Sequence, residues 1–214
     1  MDAKDIFSKL DHTLLKPNAT WPEINNICQQ GLDYGAATVC IPPSYVQRAA
    51  KGYIGLPIST VVGFPLGYNT TAAKVFEASQ AANDGAVEID MVINLGEVKN
   101  RAFHQVLAEI SAVRQAIPDK ILKVIVETCY LDKQEKMELA AIISAAGANY
   151  LKTSTGFGPA GANIEDVVFF SKHLERNVKI KAAGGIKTKE AMEELLSAGA
   201  HRLGSSHAMQ TLFG

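Results

Sequence analysis

Strand-like runs recur along the whole chain at the spacing of one strand plus one helix, and that recurrence limits the fold more than any other feature. Runs 10–15, 37–42, 59–64, 87–94, 122–128, 150–154, 178–183 and 201–205 begin 22 to 35 residues apart. Helical patterns fill the gaps at 21–34, 43–51, 70–84, 101–117, 132–146, 163–174 and 188–198. Pro22 sits near the start of one such segment, and Gly35, Gly85, Gly147 and Gly199 follow the ends of others, as helix boundaries prefer. Thr188 is placed to cap the last of these helices. Alternating strands and helices imply a parallel sheet with right-handed crossovers. Eight units in 214 residues suit one α/β domain, a (β/α)8 TIM barrel over residues 1–214. An open doubly wound sheet is the alternative. It would carry a glycine fingerprint after its first strand, and Asp11-His12-Thr13-Leu14 offers none.

Side-chain parity adds a second constraint. Val87, Ile89, Met91 and Ile93 share one parity, while Glu88 and Asp90 share the other. Leu122, Val124 and Val126 separate in the same way from Lys123 and Glu127, Leu151 from Lys152, and Ile180 from Lys179 and Lys181. Asp11, Thr13, Thr38 and Cys40 extend the polar set. In a barrel the apolar parity packs beneath the helices, so the polar parity points inward. Buried charges are costly unless paired, so this pattern reads as the floor of an active site or as a structural ion network.

Lys152 ends a short strand and opens a hydroxyl-rich turn, Lys152-Thr153-Ser154-Thr155-Gly156. It either snorkels to water from the strand end or serves as an amine nucleophile. Lys181 lies one βα unit further on, at the same height on the next strand, with Asp90 reaching the same mouth. Lowering a lysine from about 10.4 to about 7 requires roughly 4–5 kcal/mol. A like charge about 5 Å away at an effective dielectric near 20 supplies roughly 3 kcal/mol, leaving desolvation to supply the rest. Lys152 would then be neutral, Lys181 its electrostatic partner, and Asp90 a proton carrier. Lys181 could instead bind a phosphate or carboxylate. The loops after strands seven and eight supply Gly184, Gly185, Gly204, Ser205 and Ser206, types that can cradle a phosphate, and Gly156 lies on the same side.

Other classes find less support. Net charge is −1, so no basic surface points to nucleic acid or an anionic membrane, and no apolar run is long enough to span a bilayer. Cys28, Cys40 and Cys129 lack metal-type spacing and fit reduced thiols in a cytoplasmic protein. Glu88, Asp90 and Glu127 could suggest a divalent metal, but Lys123, Lys152 and Lys181 crowd the same interior and oppose a cation.

Asp11-His12-Thr13-Leu14, Val39-Cys40-Ile41-Pro42, Val61-Val62-Gly63-Phe64-Pro65, Glu88–Asn94, Lys123–Thr128, Tyr150–Phe157 and Lys181–Ile186 together resemble deoxyribose-phosphate aldolase, in order and over essentially the whole chain. The resemblance implies a class I aldolase that needs no metal or other cofactor. It would reversibly cleave 2-deoxy-D-ribose 5-phosphate to D-glyceraldehyde 3-phosphate and acetaldehyde. By motif, Lys152 is the Schiff-base lysine, Lys181 its tuning neighbour and Asp90 the proton-transfer group, while Asp11, Thr13 and Cys40 line or support the pocket. The partners implied are a phosphosugar and an aldehyde, with a possible homodimer. This chain departs from the family in Phe157–Asn163, where Ala160 and Asn163 differ, and in His207, where a small residue is usual. A phosphosugar isomerase using Asp90 and Glu127 as acid and base, or a barrel that binds phosphosugars without turnover, are the rival readings.

Overall fold

Eight parallel strands close on themselves in sequence order in the computed structural model, which describes residues 1–214. They are β1 (Leu10–Thr13), β2 (Thr38–Cys40), β3 (Ile58–Val62), β4 (Glu88–Val92), β5 (Ile121–Ile125), β6 (Tyr150–Lys152), β7 (Lys179–Ala183) and β8 (Arg202–Ser205). The helices are α1 (Ala3–Phe7), α2 (Trp21–Tyr34), α3 (Pro43–Gly52), α4 (Thr71–Asn83), α5 (Leu95–Lys99), α6 (Phe103–Ala116), α7 (Lys133–Ala145), α8 (Ile164–His173), α9 (Lys189–Ser197) and α10 (Ala208–Phe213). The barrel, not the open sheet, is the fold. No helix is long and apolar enough to cross a membrane.

The parity of the strands divides the interior into two compartments. Ile89, Met91, Ile93, Leu122, Val124, Val126, Leu151 and Ile180 join the large apolar core between strands and helices. Cys40, Val61, Val92, Ile125, Tyr150 and Ala183 are buried outside that core. They share the alternate parity with Asp11, Glu88, Asp90, Lys123, Lys152 and Lys181, which line the barrel. Val87 is the exception to the expected pattern: it is exposed, because the strand begins only at Glu88.

Helix boundaries follow local chemistry. Thr20 and Glu23 form a capping box at α2, Asp132 and Glu135 another at α7, and Thr188 accepts from the Ala191 amide at α9. The pattern at 101–117 begins late as a helix because Arg101 has φ +55°, a left-handed conformation that interrupts it. Helices α1, α5 and α10 are too short to show a periodicity, and the sequence pattern passes over them. Asn94 starts α5 by accepting from the Gly96 amide at 3.0 Å. Phe213 of α10 meets Phe7 of α1 at 5.5 Å, edge-on, and both rings pack against Tyr34 at the end of α2.

One charged pair lies wholly within the helical layer. Lys74 of α4 is fully buried, and its Nζ donates to Glu109 Oε1 of α6 and to the Val92 carbonyl, each at 2.8 Å. Glu109 also accepts from the Asn94 amide at 3.2 Å. Burial pushes the Lys74 ammonium down and the Glu109 carboxyl up in pKa, and their mutual attraction opposes both shifts. Lys74→Met alone is expected to cost about 3–5 kcal/mol by stranding Glu109, whereas Lys74→Met with Glu109→Leu should fall near the parent. Urea denaturation of the parent, single and double variants checks this.

Candidate active site

The charged residues of the inner wall form one connected floor. Lys123 of β5 donates to Asp90 at 2.6 Å, contacts Glu88 at 2.7 Å and lies 3.4 Å from Asp11. Lys181 of β7 bonds Asp90 Oδ2 at 2.7 Å and also Asp11. Lys152 of β6 bonds the same Asp90 Oδ2 at 2.8 Å. Arg202, at the start of β8, reaches Asp11 at 2.5 Å and Glu88 at 3.1 Å, with its guanidinium 5.6 Å from the Tyr150 ring. The strand register explains the meeting: Lys152 pairs with Lys181, and Asp90 with Lys123.

The three carboxylates Asp11, Glu88 and Asp90 therefore face four cations, Lys123, Lys152, Lys181 and Arg202. Burial alone would favour the neutral form of every member. For Asp11 it is overcome by Lys123, Lys181 and Arg202, and for Asp90 by Lys123, Lys152 and Lys181, so both carboxyls stay far below the usual range. Burial also opposes charge on Lys123 and Lys181, but their carboxylate neighbours prevail and raise both. Lys152 has only the shared oxygen of Asp90. Burial is its largest influence, Asp90 opposes it, Lys181 reinforces it, and the pKa falls. The order of causes differs from the sequence expectation: desolvation outweighs the like charge. Lys181 is not lowered in turn, because Asp11 and Asp90 hold its proton.

Above this floor a cavity of about 560 Å³ opens at the C-terminal ends of the strands. Lys152 is the one member of the floor on its wall. It is only 3% exposed, which accounts for its desolvation while leaving its amine a path to a ligand. Thr13 also lines the cavity, held by a hydrogen bond from its hydroxyl to the Asp11 carbonyl. Asp11, Cys40, Asp90 and Lys181 lie beneath the wall. Asp11 and Cys40 thus support the pocket from below, in contrast to Thr13.

The glycine loops form the upper rim. Gly156, Gly184 and Gly185 have φ of +86°, +89° and +74°, the region where a Cβ is strained. A Cβ on Gly161 would come 2.1 Å from the Gly184 carbonyl oxygen, so the loops after β6 and β7 interlock through bare backbone. The Ala162 amide, shared between the carbonyls of Ala183 and Gly184 at 3.1 Å each, secures that contact. Gly204 has a role the sequence did not suggest: a Cβ there would meet Lys181 Cε and Ala183 Cβ at 3.1 Å, so its bareness lets the lysine pass. The Ser205 hydroxyl is buried and donates to the Ile186 carbonyl, stitching the last two loops together, while Ser206 stands exposed on the cavity wall. His207 lines the cavity too, with Nδ1 3.1 Å from the Ser206 hydroxyl.

Two residues without a role in the sequence reading enter the site. Lys123 and Arg202 belong to the floor, and the inward parity of Lys123 was the available signal. Arg202 falls in the predicted run 201–205, and in the structure it starts β8 and points inward. Glu127, an acid or base in the isomerase reading, is instead engaged by the turn after Lys152. Its left-handed backbone, φ +51°, turns its carboxylate onto Thr155, which donates both its amide, at 3.1 Å, and its hydroxyl. That carboxylate fixes the turn after Lys152, and Asp11, Glu88 and Asp90 are all engaged by lysine or arginine.

A family model described as DeoC/LacD family aldolase matches residues 6–210. A deoxyribose-phosphate aldolase from Clostridium botulinum (strain Alaska E43 / Type E3) is 49% identical over 215 residues, covering 100% of this chain and 97% of that protein. Among solved structures, an aldolase named QR15 superposes with a TM-score of 0.94 at 36% identity, covering 97% of this chain and 94% of its own. A deoxyribose phosphate aldolase from Aeropyrum pernix, described as having a unique tetrameric structure, superposes with a TM-score of 0.91 at 30% identity, covering 99% and 91%.

Proposed function

The chain belongs to the DeoC/LacD family of aldolases, and we infer from this and from its site that it is a deoxyribose-phosphate aldolase, a class I lyase acting through a lysine imine. It reversibly cleaves 2-deoxy-D-ribose 5-phosphate to D-glyceraldehyde 3-phosphate and acetaldehyde. The observation that carries the assignment of roles is Lys152: the floor lysine that reaches the cavity is also the one whose basicity is lowered.

The neutral Nζ of Lys152 attacks C1 of the open-chain sugar and forms a C–N bond. The carbonyl oxygen takes one proton from the attacking amine and a second from an acid and leaves as water, giving an iminium. Two carbons depart as acetaldehyde and three stay with the phosphate, so the bond that breaks is C2–C3. Its electron pair flows into the iminium as the C3 hydroxyl gives up its proton and becomes the aldehyde of glyceraldehyde 3-phosphate. The remaining enamine is protonated at C2, and water releases acetaldehyde and Lys152. Asp90 Oδ2, bonded to Lys152 and Lys181 together, is placed to accept and return these protons with the Lys181 ammonium.

Gly184, Gly185, Gly204 and Ser206 are proposed to receive the phosphate, with Lys187 adding a cation to the same wall. Ser205 holds those loops together from behind. Assembly as a homodimer is proposed on the apolar surface left exposed by Leu66, Tyr68 and Phe76. A cytoplasmic location is proposed on the three free cysteines.

Incubation with acetaldehyde and sodium borohydride tests the reading. Peptide mass spectrometry should find a reduced two-carbon adduct on Lys152. Folded protein that forms no adduct would overturn the imine mechanism and favour an isomerase or a binding protein.

A further inference from the structure

The floor carries one more cation than carboxylate, and the surplus must fall on the member with the weakest hold on its proton. Arg202 cannot lose its charge at any ordinary pH. Lys123 has Asp11, Glu88 and Asp90 around it, and Lys181 has Asp11 and Asp90. Lys152 has a single carboxylate oxygen, already shared with Lys181. We propose that Arg202, which touches neither the cavity nor Lys152, is a positioning residue that makes Lys152 the surplus cation.

Arg202 acts along two routes of the same sign. Its fixed positive charge disfavours a further charge on Lys152. It also occupies Asp11 Oδ1, limiting the pull of Asp11 on Lys181 and leaving Lys181 to compete for Asp90 Oδ2. Glu88 works in the opposite sense. It takes part of Lys123, and without it Lys123 would lean harder on Asp90 and weaken the bond from Asp90 to Lys152. The other charged or titratable groups around Lys152 are Cys40 from β2, Glu127, which is occupied by Thr155, and the rim residues Lys16, Lys187 and His207. Strand β3 contributes only Ser59 and Val61.

The inference rests on Lys152 being the imine-forming lysine. The test compares kcat/KM for 2-deoxy-D-ribose 5-phosphate cleavage against pH in the parent and in Arg202→Met, Arg202→Lys and Glu88→Gln. A unit charge roughly 10 Å away at an effective dielectric near 20 moves a pKa by about one unit. The acid limb of Arg202→Met should therefore move to higher pH by about that much, a loss of about tenfold on the limb with the plateau retained. Arg202→Lys should restore the parent limb, and Glu88→Gln should move it to lower pH. Folded Arg202→Met with an unmoved limb, or limbs that move the same way in Arg202→Met and Glu88→Gln, would overturn the proposal. Should Arg202→Met not fold, Glu88→Gln decides alone: a limb that fails to move down rejects it. Absence of the borohydride adduct in the parent overturns the imine reading instead, whereas an adduct with unmoved limbs rejects only the part given to Arg202.

Discussion

Lys152→Met is expected to abolish cleavage while leaving the protein at least as stable as the parent. Removing the nucleophile of a covalent mechanism lowers turnover by about four to six orders of magnitude, since the remaining groups cannot supply an alternative electron sink. Stability should move the other way. Lys152 is a nearly buried amine that shares one Asp90 oxygen with Lys181, and Asp90 keeps Lys123 and Lys181 as partners when it is gone. Methionine fills a similar volume without an amine to desolvate. Replacing a buried ion by a well-packed apolar side chain is often neutral or stabilising, so a gain of up to about 1 kcal/mol is expected. Cleavage assays together with denaturant unfolding read both effects. A large loss of stability would show that Lys152 is a structural member of the network.

Asp90→Asn is expected to damage both activity and stability. Asp90 is fully buried and serves three ammonium groups, Lys123 through Oδ1 and Lys152 and Lys181 through Oδ2. An amide offers one acceptor, and its NH2 group must face a lysine. The floor would then hold Lys123, Lys181 and Arg202 against Asp11 and Glu88 alone, at a cost of about 3–5 kcal/mol. Loss of the proton carrier should lower kcat by about 10²–10⁴-fold. The Lys152 amine is not the reason, because losing a carboxylate neighbour lowers its pKa further and favours the free amine. Borohydride should still trap acetaldehyde on Lys152 in this variant although turnover has collapsed. Loss of trapping and turnover in equal measure would mean that Asp90 is needed to form the imine as well as to move protons afterwards.

Much of the site was legible because a barrel strand exposes its chemistry in a period of two. Asp90, Lys152 and Lys181 stand on the minority parity of otherwise apolar strands, and no helix-facing core accepts charges there. The eightfold spacing then brings those strands around one axis. The interlock of Gly161 with Gly184 was not legible, since it depends on how closely two loops approach. Nor was the left-handed turn at Glu127 that aims its carboxylate at Thr155. The loop glycines suggested a phosphate cradle, but sequence could not tell that Gly204 makes room for Lys181 or that Ser205 spends its hydroxyl on Ile186.

The chain's own order of residues determined the (β/α)8 barrel, the division between helix-facing and inward side chains, and the two lysines one βα unit apart. These are local periodicities, set by backbone geometry and the cost of burying polar groups, so they survive without knowledge of any contact. Which lysine is lowered in pKa was decided only in three dimensions. It depends on how Asp11, Glu88 and Asp90 are shared among Lys123, Lys152, Lys181 and Arg202, residues brought together from six strands. Electrostatic energy depends on distance and desolvation, and both are properties of the closed barrel rather than of spacing along the chain.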